Sequence, residues 1–259
     1  VVGFILKSLV SLMDDRSIRH LNRLNRDFYE RTVEDFDESR GRAWNGWKRL
    51  LPLLPLVSPL RVLDAGCGNG RLGRFLARHL GRPLTYQGVD HSPALLKAAR
   101  ESFHRHNNLP DAVLESRDLV LEPPPAGSFD LVALMGVLHH VPGKATREAL
   151  LKSLGEQVAP GGVLVFTTWR FSEYERFRER LLPLPPEIQG EPGDFLMDWR
   201  RGHAALTALR YCHYVDDQEQ DGHEATLITQ GFSLIERFRS DGHTDDINAY
   251  SLLRRGLEG

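Results

Sequence analysis

The chain has 259 residues, a formal net charge of -2, 41% apolar residues and 26% charged residues. Those proportions suit one large α/β domain and exclude disorder or a uniformly basic nucleic-acid coat, though not a local basic surface. The two cysteines, Cys67 and Cys212, form neither a disulfide framework nor a zinc spacing, so no metal is expected and the expected setting is reducing and cytoplasmic.

In chain order, Val1–Met13 is apolar but carries Lys7 and lacks a basic leader and a cleavage site. It is also shorter than the ~20 residues a membrane-spanning helix needs. No membrane contact is expected, and Met13 is expected to be the native start. Asp14 and Asp15 then cap a helix with apolar residues at Ile18, Leu21, Leu24 and Phe28. A second helical stretch covers about Ala43–Leu54 and is closed by Pro52 and Pro55.

From residue 60 the rhythm changes to strands alternating with helices. Strands are expected at Leu60–Asp64, Leu84–Val89, Ala112–Glu115, Phe129–Leu134 and Val163–Thr168. Helices are expected at about Arg71–Leu80, from Ser92-Pro93 to about His106, and at Lys144–Val158. The segment Phe171–Thr207 contains a charged helix and a Pro- and Gly-rich run, and reads as a mobile cap inserted on the sheet. Beyond Tyr211–Val215 and a helix to about Gln230, two strands, Phe232–Arg239 and Asn248–Leu253, suggest a closing antiparallel hairpin. The expected organisation is a single domain: an N-terminal helical lid (14–58), a cofactor-binding core (59–170), the cap (171–207) and the C-terminal part of the sheet (208–259). Its fold is α/β and Rossmann-like, with a mostly parallel seven-stranded sheet.

The most informative string is Val62-Leu-Asp-Ala-Gly-Cys-Gly-Asn-Gly70. Its glycines let the backbone turn sharply and approach a ligand where strand order reverses. Asp90 ends the next strand about twenty residues on, where an acid can hold the hydroxyls of an adenosine ribose. A dinucleotide site would share that acid but prefers G-x-G-x-x-G, whereas here G-x-G-x-G follows Asp64. A carboxylate at that point repels a pyrophosphate and suits a cationic amino or sulfonium group. Arg117-Asp118-Leu119 follows the third strand, offering an acceptor for an adenine amino group and an apolar contact for its ring.

With F-D-L-V at 129–132 and P-G-G at 160–162, this ordered series resembles the class I S-adenosylmethionine-dependent methyltransferases over about residues 60–170. The resemblance implies that S-adenosyl-L-methionine is the cofactor. It implies that Asp64, Ala65, Gly66, Cys67, Gly68, Asn69 and Gly70 border the methionine part, and Asp90, His91 and Ser92 the ribose. It places Arg117, Asp118 and Leu119 at the adenine and Met135, Gly136 and Val137 along the cofactor's other side. Tyr29 and Arg40 are expected to close over the methionine carboxylate.

Four flanking patches narrow the resemblance. Phe36–Arg40 with Trp44, the pair His139-His140, Thr168-Trp169 and Leu209–His213 are similar to those of the tRNA wobble-uridine methyltransferases that esterify 5-carboxymethyluridine. Asn45, Cys212 and the acidic run Asp216–Gln220 depart from that pattern. A carboxylate acceptor needs cationic or hydrogen-bonding groups, for which Arg170, Arg210, Tyr211 and His213 are candidates. A phenol or amine acceptor needs a base, for which His140 or His213 would serve. Arg16, Arg19, Arg23 and Arg26 follow one side of the first helix and Arg200-Arg201 lie on the cap, as phosphate contacts would require. The expected acceptor is therefore a tRNA wobble-uridine carboxylate or, alternatively, a small molecule, and the resemblance allows a small activating protein partner.

Overall fold

The computed structural model describes residues 13–32, 43–106, 109, 111–199 and 208–257. Arg40, the Phe36–Arg40 patch, Arg200-Arg201 and the segment before Met13 lie outside the described residues.

Seven strands form the central sheet: β1 (Leu60–Ala65), β2 (Leu84–Asp90), β3 (Val113–Ser116), β4 (Phe129–Leu134), β5 (Val158–Trp169), β9 (Phe232–Ser240) and β10 (Asn248–Arg255). Their order is β3-β2-β1-β4-β5-β10-β9. The first five run parallel, and β10 is antiparallel to both β5 and β9. Strand order reverses between β1 and β4, which opens a crevice beyond their carboxyl ends.

Both faces of the sheet are covered, and the period-two alternation of the strands sorts the core. Val62, Leu131, Val163 and Leu252 share one buried cluster with Trp47, Phe75, Leu76 and Leu96. Leu63, Val132, Leu164 and Leu253 share the other with Leu150, Leu151, Leu154 and Leu227. The first layer is supplied by α2 (Trp47–Leu50), α3 (Arg71–His79) and α4 (Pro93–His106), the second by α5 (Lys144–Glu156) and α7 (Asp217–Thr229).

The N-terminal helix α1 (Asp15–Arg31) starts where the capping residue predicts, with Asp14 accepting from the Ser17 amide at 2.7 Å. Around Ala43–Leu54 the expected helix is shorter, being α2 followed by a 3-10 turn over Leu51–Leu53. Pro52 has no amide hydrogen to extend the ladder.

The cap is built differently from expectation. After the 3-10 turn Phe171–Glu173 and the short α6 (Glu175–Arg178), it forms two strands, β6 (Leu181–Leu182) and β7 (Asp194–Trp199). These join β8 (Ala208–His213) in a separate antiparallel sheet of order β6-β7-β8. The strand expected to open the C-terminal part of the main sheet therefore belongs to the cap. Tyr211 ties it there, donating its hydroxyl to Asp194 at 2.6 Å, while α1 packs across the strand.

Candidate functional site

A cavity opens at the carboxyl ends of β1, β2 and β4, roofed by the inward face of α1. At its floor the β1 chain turns through Gly66 (φ +75) and Gly70 (φ +73). A Cβ on Gly66 would lie 2.2 Å from Val137 Cγ2, so no larger residue lets the two loops approach this closely. Gly68 has nothing within 4 Å of an ideal Cβ, and it borders the cavity.

Three carboxyls stand around this floor. Asp90 accepts from the Gly68 amide through Oδ2 and from the Ser92 amide through Oδ1, both at 2.9 Å. Each oxygen keeps a second lone pair, so the group is oriented without being saturated. Asp118 accepts from the Val120 amide at 3.1 Å and the Asn22 side chain at 2.8 Å, with Arg26 at 3.5 Å. Asp64 accepts from the Tyr86 hydroxyl at 2.6 Å. Burial pushes the Asp64 carboxyl up to about 7; Asp90 adds to that, while the Tyr86 bond and the Arg71 charge work against it.

Facing the acids, Trp44, Trp47 and Arg71 make one wall, the Arg71 guanidinium lying 5.6 Å from each of the two indole rings. On the other side stand Tyr29 and His140. The ring Nδ1 of His140 lies 2.9 Å from the Tyr211 carbonyl oxygen, and Nε2 lies 2.8 Å from the Tyr29 hydroxyl. A carbonyl can only accept, so in the neutral ring the proton sits on Nδ1 and Nε2 is the acceptor. Asn25 fixes this corner, donating to the His140 carbonyl at 3.1 Å and accepting from the Tyr211 amide at 2.7 Å.

Of the residues expected at a cofactor, Tyr29, Asp64, Gly66, Cys67, Gly68, Asn69, Asp90, His91, Arg117, Asp118, Leu119, Met135, Gly136 and Val137 all line this cavity. Ala65, Gly70 and Ser92 do not. Ala65 is fully buried in the core, and Ser92 caps α4 by accepting from the Leu95 amide at 3.3 Å. Gly70 is backed by Phe103, whose ring would meet a Cβ at 2.5 Å. Tyr29 is placed beside His140, with its hydroxyl 2.8 Å from Nε2.

Among the five residues expected to act on the acceptor, only His140 lines the cavity. The other four are engaged elsewhere, which corrects the expectation that they gather round an acceptor carboxylate. Arg170 donates to Asp217 at 2.7 Å and to the Val215 carbonyl at 3.2 Å. Arg210 lies over the rings of Phe28 and Trp169, at 5.3 and 5.2 Å. Tyr211 and His213 belong to a buried ionic cluster under the cap. There the His213 ring nitrogens lie 2.7 Å from Asp194 and 2.8 Å from Glu219. Arg147 bonds Glu219 at 2.7 Å and Glu191 at 3.0 Å. Burial disfavours the His213 cation, but the two carboxylates outweigh it and raise the imidazole. Glu219 is pushed up by burial yet held well below the usual carboxylate range by bonds from His213 and His223 and by the Arg147 charge. Ligand atoms of Glu191, Asp194 and His213 lie within 4.8 Å of one another, but the protein's own cations already occupy that cluster.

Sequence reasoning did not single out Asn22, Asn25, Trp47 or Arg71 as site residues. A signal existed for the first two. Asn22, Asn25 and Tyr29 recur at three- and four-residue spacing on the buried face of α1, where polar groups need a partner. No helix of the described residues is long and apolar enough to cross a membrane.

Comparison with known proteins agrees with this geometry. Residues 63–164 match the methyltransferase domain family. An uncharacterized methyltransferase of Geobacillus kaustophilus is 29% identical over 153 residues, covering 59% of this chain and 67% of that protein. The ubiquinone biosynthesis O-methyltransferase of Xanthomonas campestris is 38% identical over 109 residues, 42% of each chain. Thus the alignment spans less than half the length of that relative. The crystal structure of magnesium protoporphyrin IX methyltransferase from Synechocystis, with bound S-adenosylhomocysteine, superimposes with a TM-score of 0.62 at 16% identity, covering 91% of this chain and 99% of that one. Residues 63–164 are therefore similar to the methyltransferase domain family, and the fold around them is the one that solved S-adenosylmethionine-dependent methyltransferases share.

Proposed function

We propose that the protein transfers a methyl group from S-adenosylmethionine to a hydroxyl of a small-molecule acceptor, with His140 taking the proton. The residues fit the cofactor by the chemistry of their donors and acceptors. Asp90, oriented by two amides with lone pairs remaining, suits the ribose diol. Asp118 and Leu119 suit the adenine, and Asp64 with the Gly66–Asn69 backbone suits the methionine end. When bound, S-adenosylmethionine supplies an activated methyl on a positively charged sulfur. The chain's part is then mainly alignment and exclusion of water, which for well-oriented reactants contributes about 7–11 kcal/mol.

The observation that carries the reading is the bonding of His140. Its Nδ1 proton is held by the Tyr211 carbonyl, so Nε2 is left as a base on the cavity wall. The Tyr29 hydroxyl now bonded to Nε2 marks where an acceptor hydroxyl would sit. Deprotonation there delivers the proton to Nε2 and leaves an oxygen nucleophile; the resulting imidazolium keeps its Nδ1 bond. The name of the Xanthomonas relative, an O-methyltransferase of ubiquinone biosynthesis, supports an oxygen acceptor of small size.

A second reading, esterification of a tRNA wobble-uridine carboxylate with a small activating partner, draws on one surface. Arg16, Arg19 and Arg23 are exposed along α1 and make no ion pair among the described residues. One assay separates the two. Labelled S-adenosylmethionine is offered to a small-molecule extract rich in phenols and to total tRNA with and without carboxymethyluridine. Label in small acceptors is expected; label confined to the RNA overturns the main reading. His140→Ala is expected to lower kcat about 10²–10⁴-fold while S-adenosylhomocysteine affinity stays within a few-fold.

A further inference from the structure

The cap and the cavity meet at Tyr211, and that one residue takes part in both. β8 is an edge strand, the last in the order β6-β7-β8, so its outer side offers backbone groups that no strand of that sheet pairs. Tyr211 stands on it opposite Leu196 of β7. Its amide donates to Asn25 of α1 at 2.7 Å, and its carbonyl oxygen lies 2.9 Å from His140 Nδ1. Its side chain, fully buried, reaches into the ionic cluster and donates to Asp194 Oδ1 at 2.6 Å.

Asp194 is itself fixed, by the His213 ring at 2.7 Å and by the Glu191 amide at 2.7 Å, so it holds the tyrosine hydroxyl as part of a network. The cluster grips the same corner a second time. Arg147 Nη1 donates to the Val141 carbonyl at 3.1 Å, and Val141 directly follows the 3-10 turn Leu138–His140. Joining the cap to the sheet needs only the ion pairs of Arg147. It does not require that the tyrosine whose main chain meets the cavity histidine be tethered to the cluster as well.

We propose that Tyr211 is a positioning residue for the base. Anchored at its hydroxyl by Asp194 and at its amide by Asn25, it holds its carbonyl where the Nδ1–H form of His140 is the one satisfied. This rests on the reading of His140 as the base. In an imidazole, the bond made by one nitrogen decides where the proton sits, so the anchored carbonyl keeps Nε2 basic toward the cavity. The cap thereby acts on the chemistry of the cavity through one main-chain oxygen. A misplacement of about 1 Å costs up to roughly a hundredfold in rate.

The test reads the His140 ring nitrogens by nitrogen NMR of the full chain, saturated with S-adenosylhomocysteine in mildly alkaline buffer, with His140→Gln assigning the signals. Wild type is expected to show the proton on Nδ1. Tyr211→Phe, which removes only the hydroxyl, should give a mixture of tautomers. It should also slow label transfer to the phenol-rich extract about tenfold, with S-adenosylhomocysteine affinity kept within about twofold. Tyr214→Phe, which removes a nearby hydroxyl from Glu173, should change neither signal nor rate. If Tyr211→Phe does not fold, Asn25→Ala loosens the same carbonyl and should give the tautomer mixture. An intact tautomer in the folded variant would make Tyr211 structural only and overturn the proposal, leaving His140 as the base. A tautomer mixture with undiminished transfer, or a wild-type proton on Nε2, would overturn the base reading and the proposal with it.

Discussion

Asp64, Asp90 and Asp118 at the cavity, and Glu191, Asp194 and Glu219 beneath the cap, are two sets of carboxyls withdrawn from water, and they are satisfied in opposite ways. Under the cap the acids meet the protein's own cations, with Arg147 reaching Glu191 and Glu219 while His213 lies between Asp194 and Glu219. At the cavity, among the described residues, Asp90 is bonded by two neutral amides with the His91 ring at 3.8 Å, Asp64 by a phenol with the Arg71 charge near it, and Asp118 by an amide and a carboxamide, with a guanidinium at 3.5 Å. Acids matched by internal cations make a latch between layers. Acids oriented by neutral donors keep their charge available to a ligand. The residue types are the same, and the partners decide which role results.

If that contrast is right, damage to the latch should cost stability and damage to the cavity should cost binding. The largest effect is expected from Arg147→Met, which leaves Glu191 and Glu219 buried without their guanidinium. Urea unfolding should show a loss of about 3–5 kcal/mol, and a loss below 1 kcal/mol would mean the cluster is not a latch. Next, Asp90→Ala should weaken S-adenosylhomocysteine about a hundredfold by calorimetry, since two charge-assisted bonds are removed. Its unfolding midpoint should move much less than that of Arg147→Met; the reverse ranking would break the comparison.

A smaller effect is expected from pH. Asp64, raised to about 7 by burial, receives an ammonium only as the carboxylate. Affinity should therefore be roughly fivefold weaker at pH 6 than at pH 7, and Asp64→Asn should flatten that dependence. The smallest effect concerns the latch. His213 is raised, so its contribution is fully present below its unfolded value and is lost as pH rises through its folded one. Glu219 is lowered, so its contribution is present above its unfolded value of about 4.5 and is lost only in strong acid. Thermal scans should place the highest midpoint between these limits, with a decline on the alkaline side that His213→Gln removes.

Much of the site was legible in residue order. The glycines, Asp64, Asp90 and Asp118 sit at strand ends, and the chain direction of a parallel sheet brings such ends to one edge wherever helices connect them. The α1 stripe was legible as an amphipathic helix, but not that its polar members Asn22, Asn25 and Tyr29 would face a ligand cavity. Leu209–His213 shows the opposite failure. Its basic and aromatic residues resemble an acceptor site, yet in an antiparallel cap their side chains meet Asp194, Glu219 and the Phe28 ring.

Local sequence alone determined the alternation of strands and helices, the tight turns at Gly66 and Gly70, and the capping of α1. Each of these depends on side-chain period or backbone freedom within a few residues. Only the tertiary structure decided which charged groups neutralise one another and which remain for a ligand. Arg147 and Glu219 are 72 positions apart, and Arg71, at the start of α3, meets the Trp44 ring on the same wall of the cavity. An electrostatic role belongs to a pair of groups at a distance, and no single stretch of chain contains that distance.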